Sequence, residues 1–228
     1  MRTVKKKKIP FHDYERIYKT PGLYEQIFYD RLRCKSPEVV TELLYKAHQS
    51  IEQNFSELRV LDLGAGNGIM GQALKKHGVA RIVGVDIEPM AKEAAFRDYP
   101  SIYDDYYVED FTKLTEKKIN EFKDWSFDCL TTVAALGFGD IPIKAFHQAV
   151  NLISEDGWLA FNIKDSFFNP SDQSGFSKYI RNLLLSENWE VHVIERYKHR
   201  QSMEGVPLFY YAIVARKRCH LPDELTDL

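Results

Sequence analysis

The sequence predicts an α/β protein whose doubly wound sheet has seven strands, mostly parallel, with an antiparallel last strand. Three observations support this fold class. Apolar runs alternate with segments of helical period, which is the pattern of strand–helix–strand units around a parallel sheet. A glycine-rich segment, LGAGNG, completes and follows the first apolar run. The last two apolar runs are joined by QSMEGVP, which is too short for a parallel crossover.

The predicted elements begin with a preliminary helix in SPEVVTELLYKAHQSIEQNF, where Ser36 is the cap and Pro37 the first helical residue. Later helices are expected in GIMGQALKKHG, EPMAKEAAFRDY, residues 142–153 and SGFSKYIRNLLLSENW. The strands are expected in LRVLDL, RIVGVDI, YDDYYVEDF, FDCLTTVAAL, GWLAFNIK, EVHVIERYKHR and LFYYAIVARKR. We therefore predict one domain over residues 36–218, preceded by a basic tail and lid segment (1–35) and followed by a tail (219–228).

Composition limits the functions that the chain can have. Its 228 residues suffice for one α/β domain, and the formal net charge of -2 gives no sign of general nucleic-acid or membrane binding. The three cysteines lack a paired motif, which disfavours a zinc site and fits a reducing cytoplasm. No apolar run approaches the roughly 20 residues needed to span a bilayer. The Lys5–Lys8 run is either a solvated tail or a patch for RNA or an acidic partner.

The glycine-rich segment carries two overlapping signatures. Asp62, Gly64, Gly66 and Gly68 form an acid followed by alternating glycines, whereas Gly66, Gly68 and Gly71 form the G-x-G-x-x-G dinucleotide fingerprint. Both patterns need glycine because the backbone turns sharply after a strand and lets a ligand approach closely. The segment therefore indicates either a nicotinamide or flavin dinucleotide, or another ligand built on adenosine.

Two acidic residues bear on this choice. Asp86, at the end of the second predicted strand, suits ribose hydroxyls in either ligand and cannot separate them. Asp62 can distinguish the two ligands, because a carboxylate at the mouth of the loop would repel a pyrophosphate bound over the helix N-terminus. The same carboxylate suits the positively charged amino-acid end of S-adenosylmethionine. The sequence therefore favours S-adenosylmethionine as the cofactor.

With these motifs, residues 36 to 218 resemble the class I S-adenosylmethionine-dependent methyltransferases. The resemblance rests on VLDLGAGNG, VGVDIEPMAKEA, VEDF, FDCLTTVAAL and LISEDGWLAFNIK. It implies a Rossmann-like fold with a reversed last strand, in agreement with the prediction above. The fourth strand lacks the N-P-P-[YF] or D-P-P-[YF] motif, which places amino-methylating activity on nucleic acids or glutamine in doubt.

The resemblance also implies roles for individual residues in donor binding. The methionine portion would be lined by Asp62, Gly64, Ala65 and Gly66, with Gly68 keeping the turn tight. The remaining implied contacts are Asp86 with the ribose, Ile87 with the adenine, Glu109 or Asp110 near the adenine amino group, and Val133 near the methyl donor. The competing interpretations are a strand-end surface acid for Asp86, a helix cap for Asp110 and a plain core residue for Ile87.

The acceptor side has weaker signals. Tyr18 and Tyr24, in an aromatic-rich N-terminal segment, are candidates for a lid, or they pack the preliminary helix. His199 is the candidate proton acceptor because the unperturbed pKa of histidine lies near neutrality, although the surrounding RYKHR could instead face solvent. Phe138, Phe167 and Phe168 are expected to supply apolar walls. The other histidines show no metal-ligand spacing.

The sequence thus predicts a cytoplasmic S-adenosylmethionine-dependent methyltransferase that acts on a small molecule. The donor methyl group is already activated, so the enzyme mainly holds a nucleophile in line and excludes water. A protein or RNA acceptor is the first alternative, with the basic segments as guiding charges. A dinucleotide-binding oxidoreductase or a non-catalytic adenosyl-binding protein is the second.

Overall fold

The computed structural model describes residues 10–51, 53–136, 140–168 and 175–226. The Lys5–Lys8 run and Phe138 lie outside these residues, as does the side chain of Phe168. The strands are β1 (Arg59–Leu63), β2 (Arg81–Asp86), β3 (Asp105–Val108), β4 (Cys129–Thr132), β5 (Trp158–Lys164), β6 (Trp189–Gln201) and β7 (Pro207–Lys217). The helices are α1 (Tyr14–Lys19), α2 (Leu23–Glu25), α3 (Ser36–His48), α4 (Ile69–Lys76), α5 (Pro89–Asp98), α6 (Glu116–Asp124), α7 (Ile143–Leu152) and α8 (Phe176–Leu184).

All seven strands form one sheet in the order β3-β2-β1-β4-β5-β7-β6. Strands β1 to β5 are mutually parallel, and β7 lies antiparallel between β5 and β6. The predicted fold class, including the antiparallel last strand, is therefore confirmed. Because β6 runs parallel to the first five strands, its end lies at the same edge of the sheet as theirs.

The core has two halves, one on each face of the sheet. Side chains alternate between faces along a strand, so Val60 and Ile82 pack with α3, α4 and α5, whereas Leu61 and Val83 pack with α6, α7 and α8. No helix in the described part of the chain is long and apolar enough to cross a membrane. With both faces of the sheet covered by helices, the strand ends and their loops are available to form a ligand site.

Two helices differ from the prediction. Helix α6 is absent from it, because EKKINEFKD is mostly charged and buries only Phe122 deeply. Helix α3 ends at His48, whereas the apolar stripe continues to Phe55. Phe55 is nevertheless buried, in a short 3-10 turn (Phe55–Glu57), so the sequence pattern identifies a core residue but not its backbone.

The N-terminal segment is attached to the edge strand β6. The backbone amide of Lys35 donates to the carbonyl of His199 at 3.0 Å, and that of Gln201 donates to the carbonyl of Leu32 at 2.7 Å. Helix α1, α2 and the π-helical turn Gln26–Arg31 precede this contact and lie over the strand ends. Part of the predicted lid segment is thus structured against the domain, while the proposed domain boundaries remain a prediction.

Candidate functional site

A cavity of about 530 Å³ lies between the carboxyl ends of the strands and the N-terminal segment. Two parts of its wall are named after the ligands that the sequence analysis predicts there, the donor half and the acceptor half. The donor half comprises residues 64–67, 86–88, 109–111 and 133–135. The acceptor half comprises Lys164, His199, Arg200, Leu208 and Tyr210. Tyr14, Tyr18, Tyr24 and Phe28 of the N-terminal segment contribute to the wall across from both halves.

The glycine loop adopts the backbone that the sequence predicts. Gly64, Gly66 and Gly68 have φ values of 73°, 55° and 100°, a region that favours glycine. The amides of Gly64 and Ala65 donate to the carbonyl of Val85 at 2.8 and 3.0 Å, which ties the loop to β2. A β-carbon on Gly66 would lie 2.7 Å from the Tyr18 hydroxyl oxygen. The loop therefore forms a cradle that any side chain at position 66 would fill.

Asp86 connects the glycine loop to the second strand. Its two carboxylate oxygens accept hydrogen bonds from the amides of Gly66 and Glu88, each at 2.9 Å. Burial raises its pKa, and these backbone bonds oppose that shift. A carboxylate offers about four lone-pair sites, so acceptor capacity remains on the cavity wall for two hydroxyl groups. The interpretation of Asp86 as an ordinary surface acid does not fit this position.

The structure corrects the expected position of Asp62. The residue is 1% exposed and does not line the cavity. Its carboxylate accepts hydrogen bonds from the Tyr103 and Thr131 hydroxyls, both at 2.8 Å. Burial raises its pKa to about 6. Asp62 therefore supports the loop from behind instead of touching the methionine portion of a ligand.

Gly68 also lies off the cavity wall. It is the N-cap of α4, and a β-carbon there would meet the Tyr103 ring at 3.3 Å. Its predicted task of keeping the turn tight agrees with this position. The aromatic ring beneath the loop comes from Tyr103, which precedes β3 and carries no motif that would have identified it.

The residues expected around an adenine lie on the wall of the donor half. Ile87 is 64% exposed and hence no core residue. Glu109 pairs with Lys118 at 3.1 Å, and Asp110 pairs with Lys113 at 3.1 Å. Asp110 also accepts hydrogen bonds from Thr112, and these lower its pKa to about 2. Both acids reach the cavity, so the choice between them stays open.

Tyr18 and Tyr24 lie on the cavity wall, as the lid hypothesis expects. Their rings stack with centroids 5.1 Å apart, and Tyr24 packs on Phe28 at 4.5 Å. The two tyrosines also contact the core between α3 and the glycine loop, which the competing interpretation expects. The structure thus joins both interpretations, because the same rings pack on the domain and face the cavity.

Polar contacts that the sequence analysis missed hold this segment in place. The side-chain amide of Asn67 donates to the Glu25 carboxylate at 2.6 Å, and the Tyr99 hydroxyl donates to the same oxygen at 3.3 Å. The guanidinium of Arg97 donates to the carbonyl of Tyr18 at 3.0 Å. Since the partners are up to 79 positions apart, no local motif could have identified them.

Val133 also lies on the wall, at the end of β4, and the next residue has an unusual backbone. Ala134 has φ 60°, a conformation that side chains disfavour. Its amide donates to the Asn162 side-chain oxygen at 2.7 Å. Asn162, which is fully buried in β5, therefore holds the β4 end in this conformation.

His199 lies in the acceptor half, and its surroundings differ from the expectation. The residue is 3% exposed, so RYKHR does not simply face solvent. Nδ1 lies 2.5 Å from the Ser36 hydroxyl oxygen, and the ring packs on Tyr210 with centroids 4.0 Å apart. Burial, aided by the charge of Arg200, lowers its pKa to about 3. The pKa of His199 thus lies well below the unperturbed value on which its expected role as a proton acceptor rests.

The charges on the cavity wall distinguish between the two kinds of ligand that the glycine loop could bind, a dinucleotide and an adenosyl ligand without a pyrophosphate. The wall's permanently charged cations among the described residues, Lys164 and Arg200, lie in the acceptor half and not beside the glycine loop. A pyrophosphate on the loop would face Asp86 and Glu88 without a compensating cation. The glycine cradle and the spare acceptor capacity of Asp86 fit an adenosyl ligand without phosphates. Among the described residues, no cluster of histidine, cysteine and carboxylate side chains is suited to a metal ion.

Comparisons with known proteins agree with this assignment. A family model described as "Methyltransferase domain" matches residues 32–207. The fold is similar to that of an S-adenosylmethionine-dependent methyltransferase from Anabaena variabilis, with a TM-score of 0.57, 16% identity, and coverage of 96% of this chain and 99% of that one.

Two curated relatives match shorter segments. A ubiquinone biosynthesis O-methyltransferase of Neisseria meningitidis is 28% identical over 46% of this chain and 43% of its own length. A ribosomal protein L11 methyltransferase of Cellvibrio japonicus is 48% identical over 18% of this chain and 14% of its own length. The matches thus span less than half of either relative. The Rossmann-like fold of this chain is similar to that of the solved S-adenosylmethionine-dependent methyltransferase. The family match covers most of the described domain, and the chain therefore belongs to the methyltransferase-domain family.

Proposed function

We propose that the protein transfers a methyl group from S-adenosylmethionine to a small-molecule acceptor by in-line displacement. When bound, S-adenosylmethionine supplies a methyl group on a positively charged sulfur, so the acceptor gains a bond to carbon while sulfur keeps the electron pair of the broken bond. The protein's task is to align the two reactants and exclude water. The observation that carries the proposal is one cavity that joins the glycine loop and Asp86 to a separate acceptor half.

The donor half would hold the adenosyl ligand through its own residues. Asp86 would accept the ribose hydroxyls, while Gly64, Ala65 and Gly66 would let the methionine portion approach the backbone. Ile87 would cover the adenine, and Glu109 or Asp110 would lie near its amino group. Val133 would border the methyl group, and Tyr18 and Tyr24 would close the cavity over the donor.

The size and cover of the cavity support a small acceptor. The volume of about 530 Å³ serves the donor and the acceptor together, and it lies within the range of about 300–1,000 Å³ that small-molecule sites occupy. The rings of Tyr14, Tyr18, Tyr24 and Phe28 form part of its wall, which leaves little space for a polymer. The likeness to the ubiquinone biosynthesis O-methyltransferase is in keeping with this proposal.

A macromolecular acceptor is the second candidate, favoured by the short match to a ribosomal protein methyltransferase. An RNA acceptor fits the wall less well, because carboxylates outnumber cations there and a phosphate backbone requires cations. The carboxylates of the wall are Asp13, Glu15, Asp86, Glu88, Glu109, Asp110 and Asp140.

The test is a donor-consumption screen of the full chain against pools of metabolites, peptides and RNA. We expect turnover with the metabolite pool and none with the other two. Two truncations sharpen the result. Removal of residues 1–8, which lie outside the described residues, should leave turnover intact, whereas removal through Tyr24 should abolish transfer and only weaken donor binding. Turnover confined to peptides or RNA, or a large loss from the shorter truncation, would contradict a small acceptor.

A further inference from the structure

Two consecutive residues of β6 both reach the cavity, which a regular strand does not allow. Side chains alternate between the faces of a sheet, so His199 and Arg200 would ordinarily point in opposite directions. The pairing of β6 with β7 shifts register here: Lys198 pairs with Phe209, Arg200 pairs with Leu208, and His199 is the extra residue. A β-bulge re-aims side chains in this way and often borders a functional site.

The imidazole of His199 ends a buried chain of hydrogen bonds. The chain begins at the backbone amide of Ala134, which can only donate, so the Asn162 oxygen at 2.7 Å must accept. The other side-chain atom of Asn162 is therefore its amide nitrogen, which donates to the Tyr197 hydroxyl oxygen at 2.6 Å. The orientation of Asn162 is thus determined by the backbone of the β4 end.

The same reasoning continues to the ring. The Tyr197 and Ser36 hydroxyl oxygens lie 2.6 Å apart, and either can donate. Because the Tyr197 oxygen already accepts from Asn162, the arrangement in which each hydroxyl donates once along the chain has Tyr197 donating to Ser36. Ser36 then donates to Nδ1 of His199, 2.5 Å away. The Cys34 sulfur, at 3.9 Å, is a second potential donor to Nδ1, and burial raises the pKa of its thiol. In this arrangement Nδ1 is an acceptor, and the hydrogen of the neutral ring lies on Nε2.

Nε2 has no hydrogen-bond partner among the described residues, and His199 lines the cavity. We propose that His199 donates a hydrogen bond from Nε2 to an oxygen of the methyl acceptor, and that Asn162, Tyr197 and Ser36 are positioning residues that hold this tautomer. The proposal rests on the proposed function and replaces the expected role of His199 as a proton acceptor.

The charges around His199 indicate the chemical class of the acceptor. Arg200 forms no ion pair with any described carboxylate; its guanidinium packs on the Phe11 ring, 5.2 Å from the centroid, and donates to a backbone carbonyl. Lys164 lies on the same wall, and Asp140, one of the carboxylates of the wall, acts on Tyr14 together with Arg200. A ring N–H beside the Arg200 cation suits a carboxylate or phenolate oxygen of a small molecule.

The tautomer can be measured without any turnover. Two-bond ¹H–¹⁵N correlation spectra distinguish the two neutral forms of histidine, and His199→Gln identifies the resonance. We expect a single Nε2–H tautomer at neutral pH. Ser36→Ala and Tyr197→Phe should each shift the ring nitrogens toward a mixture, whereas Tyr107→Phe, whose hydroxyl contacts Trp125 elsewhere, should not. An Nδ1–H tautomer, a protonated ring, or variants that leave the spectrum unchanged would overturn the proposal.

A titration with small ions tests whether His199 recognises an anionic oxygen. The protein is first saturated with S-adenosylhomocysteine. It is then titrated with acetate, as a small carboxylate anion, and in a parallel experiment with methylammonium, as a control cation of similar size. We expect acetate to move the His199 Nε2 resonance and methylammonium to leave it in place. No response to acetate, or an equal response to both, would overturn recognition of an anionic oxygen. Since calorimetry reports S-adenosylhomocysteine binding separately, failure of the donor site is distinguishable from failure of this inference.

Discussion

The donor and acceptor halves of the cavity are built in different ways. The donor half consists of short segments at or directly after the ends of β1, β2, β3 and β4, so each of its residues lies next to a strand that the hydrophobic pattern identifies. The acceptor half depends on a bulge in β6, on the antiparallel β7, and on an N-terminal segment hydrogen-bonded to the sheet edge. The difference teaches that a shared donor can be recognised from local motifs, whereas acceptor contacts arise from long-range packing.

The two halves also differ in the buried group that supports each of them. Behind the donor half, Asp62 is a carboxylate whose pKa burial raises to about 6. In the acceptor half, burial lowers the pKa of His199 to about 3. Both shifts favour the neutral form, which is the expected effect of a low dielectric. The predictions below test whether the two halves act independently.

The largest effect is expected from Gly66→Ala. At φ 55° a β-carbon is strained by roughly 1–2 kcal/mol, and it would also lie 2.7 Å from the Tyr18 hydroxyl oxygen. Calorimetry should show S-adenosylmethionine binding weakened about a hundredfold or more, equivalent to about 3 kcal/mol. Gly78→Ala is the matched control, with φ 90° but its nearest neighbour at 4.0 Å, and should leave binding unchanged. Equal losses in both variants would mean that strain alone, and not the cradle, is responsible.

The next largest effect is on how the free energy of unfolding changes with pH. The contributions of Asp62 and His199 to it are expected to have opposite signs. The folded pKa of Asp62 is raised, so its stabilising contribution is present below pH about 4 and is lost as pH rises through about 6. Relative to Asp62→Asn, the wild type should therefore lose up to about 3 kcal/mol of its free energy of unfolding as the pH rises from about 4 to about 6. The folded pKa of His199 is lowered, so its contribution is present above pH about 6.5 and is lost as pH falls toward 3.

Urea unfolding at several pH values measures both differences. The free energy of unfolding of wild type, minus that of each variant, should fall with rising pH for Asp62→Asn and rise for His199→Gln. Slopes of the same sign would contradict the burial of one of these groups in its neutral form.

A third effect is expected from Asp86→Ala. Charge-assisted hydrogen bonds contribute about 1.5–3 kcal/mol each, so loss of the ribose contacts should weaken donor binding about tenfold or more. Asp124→Ala, an exposed acid outside the cavity wall, serves as the control. An unchanged dissociation constant for Asp86→Ala would exclude Asp86 as the ribose anchor.

The smallest effect is expected from Ile87→Ala. Contact with the adenine removes part of this exposed side chain from water, which is worth about 1 kcal/mol and hence a few-fold in donor affinity. Ile194→Ala, at a position 49% exposed and outside the cavity wall, should change neither binding nor stability. Indistinguishable affinities for the two variants would place the adenine elsewhere.

These results also show how far the sequence can be interpreted. Hydrophobic period and loop length predict the sheet and its reversed strand, and motif spacing predicts the positions of Gly64, Gly66 and Asp86. Each of these features depends on neighbours within about 20 residues. Asp62 illustrates the first limit: its pattern indicates a ligand contact, while Tyr103 and Thr131 occupy both of its oxygens. His199 illustrates the second, since its tautomer depends on Ser36, which is 163 positions away.

A crystal structure of the protein with S-adenosylhomocysteine tests the division of the cavity most directly. Our account predicts that the ribose hydroxyls bind Asp86, that the sulfur borders Val133, and that Nε2 of His199 faces the space beyond the sulfur without touching the ligand. A ligand whose adenosine occupies the acceptor half, beside His199 and Arg200, would contradict it.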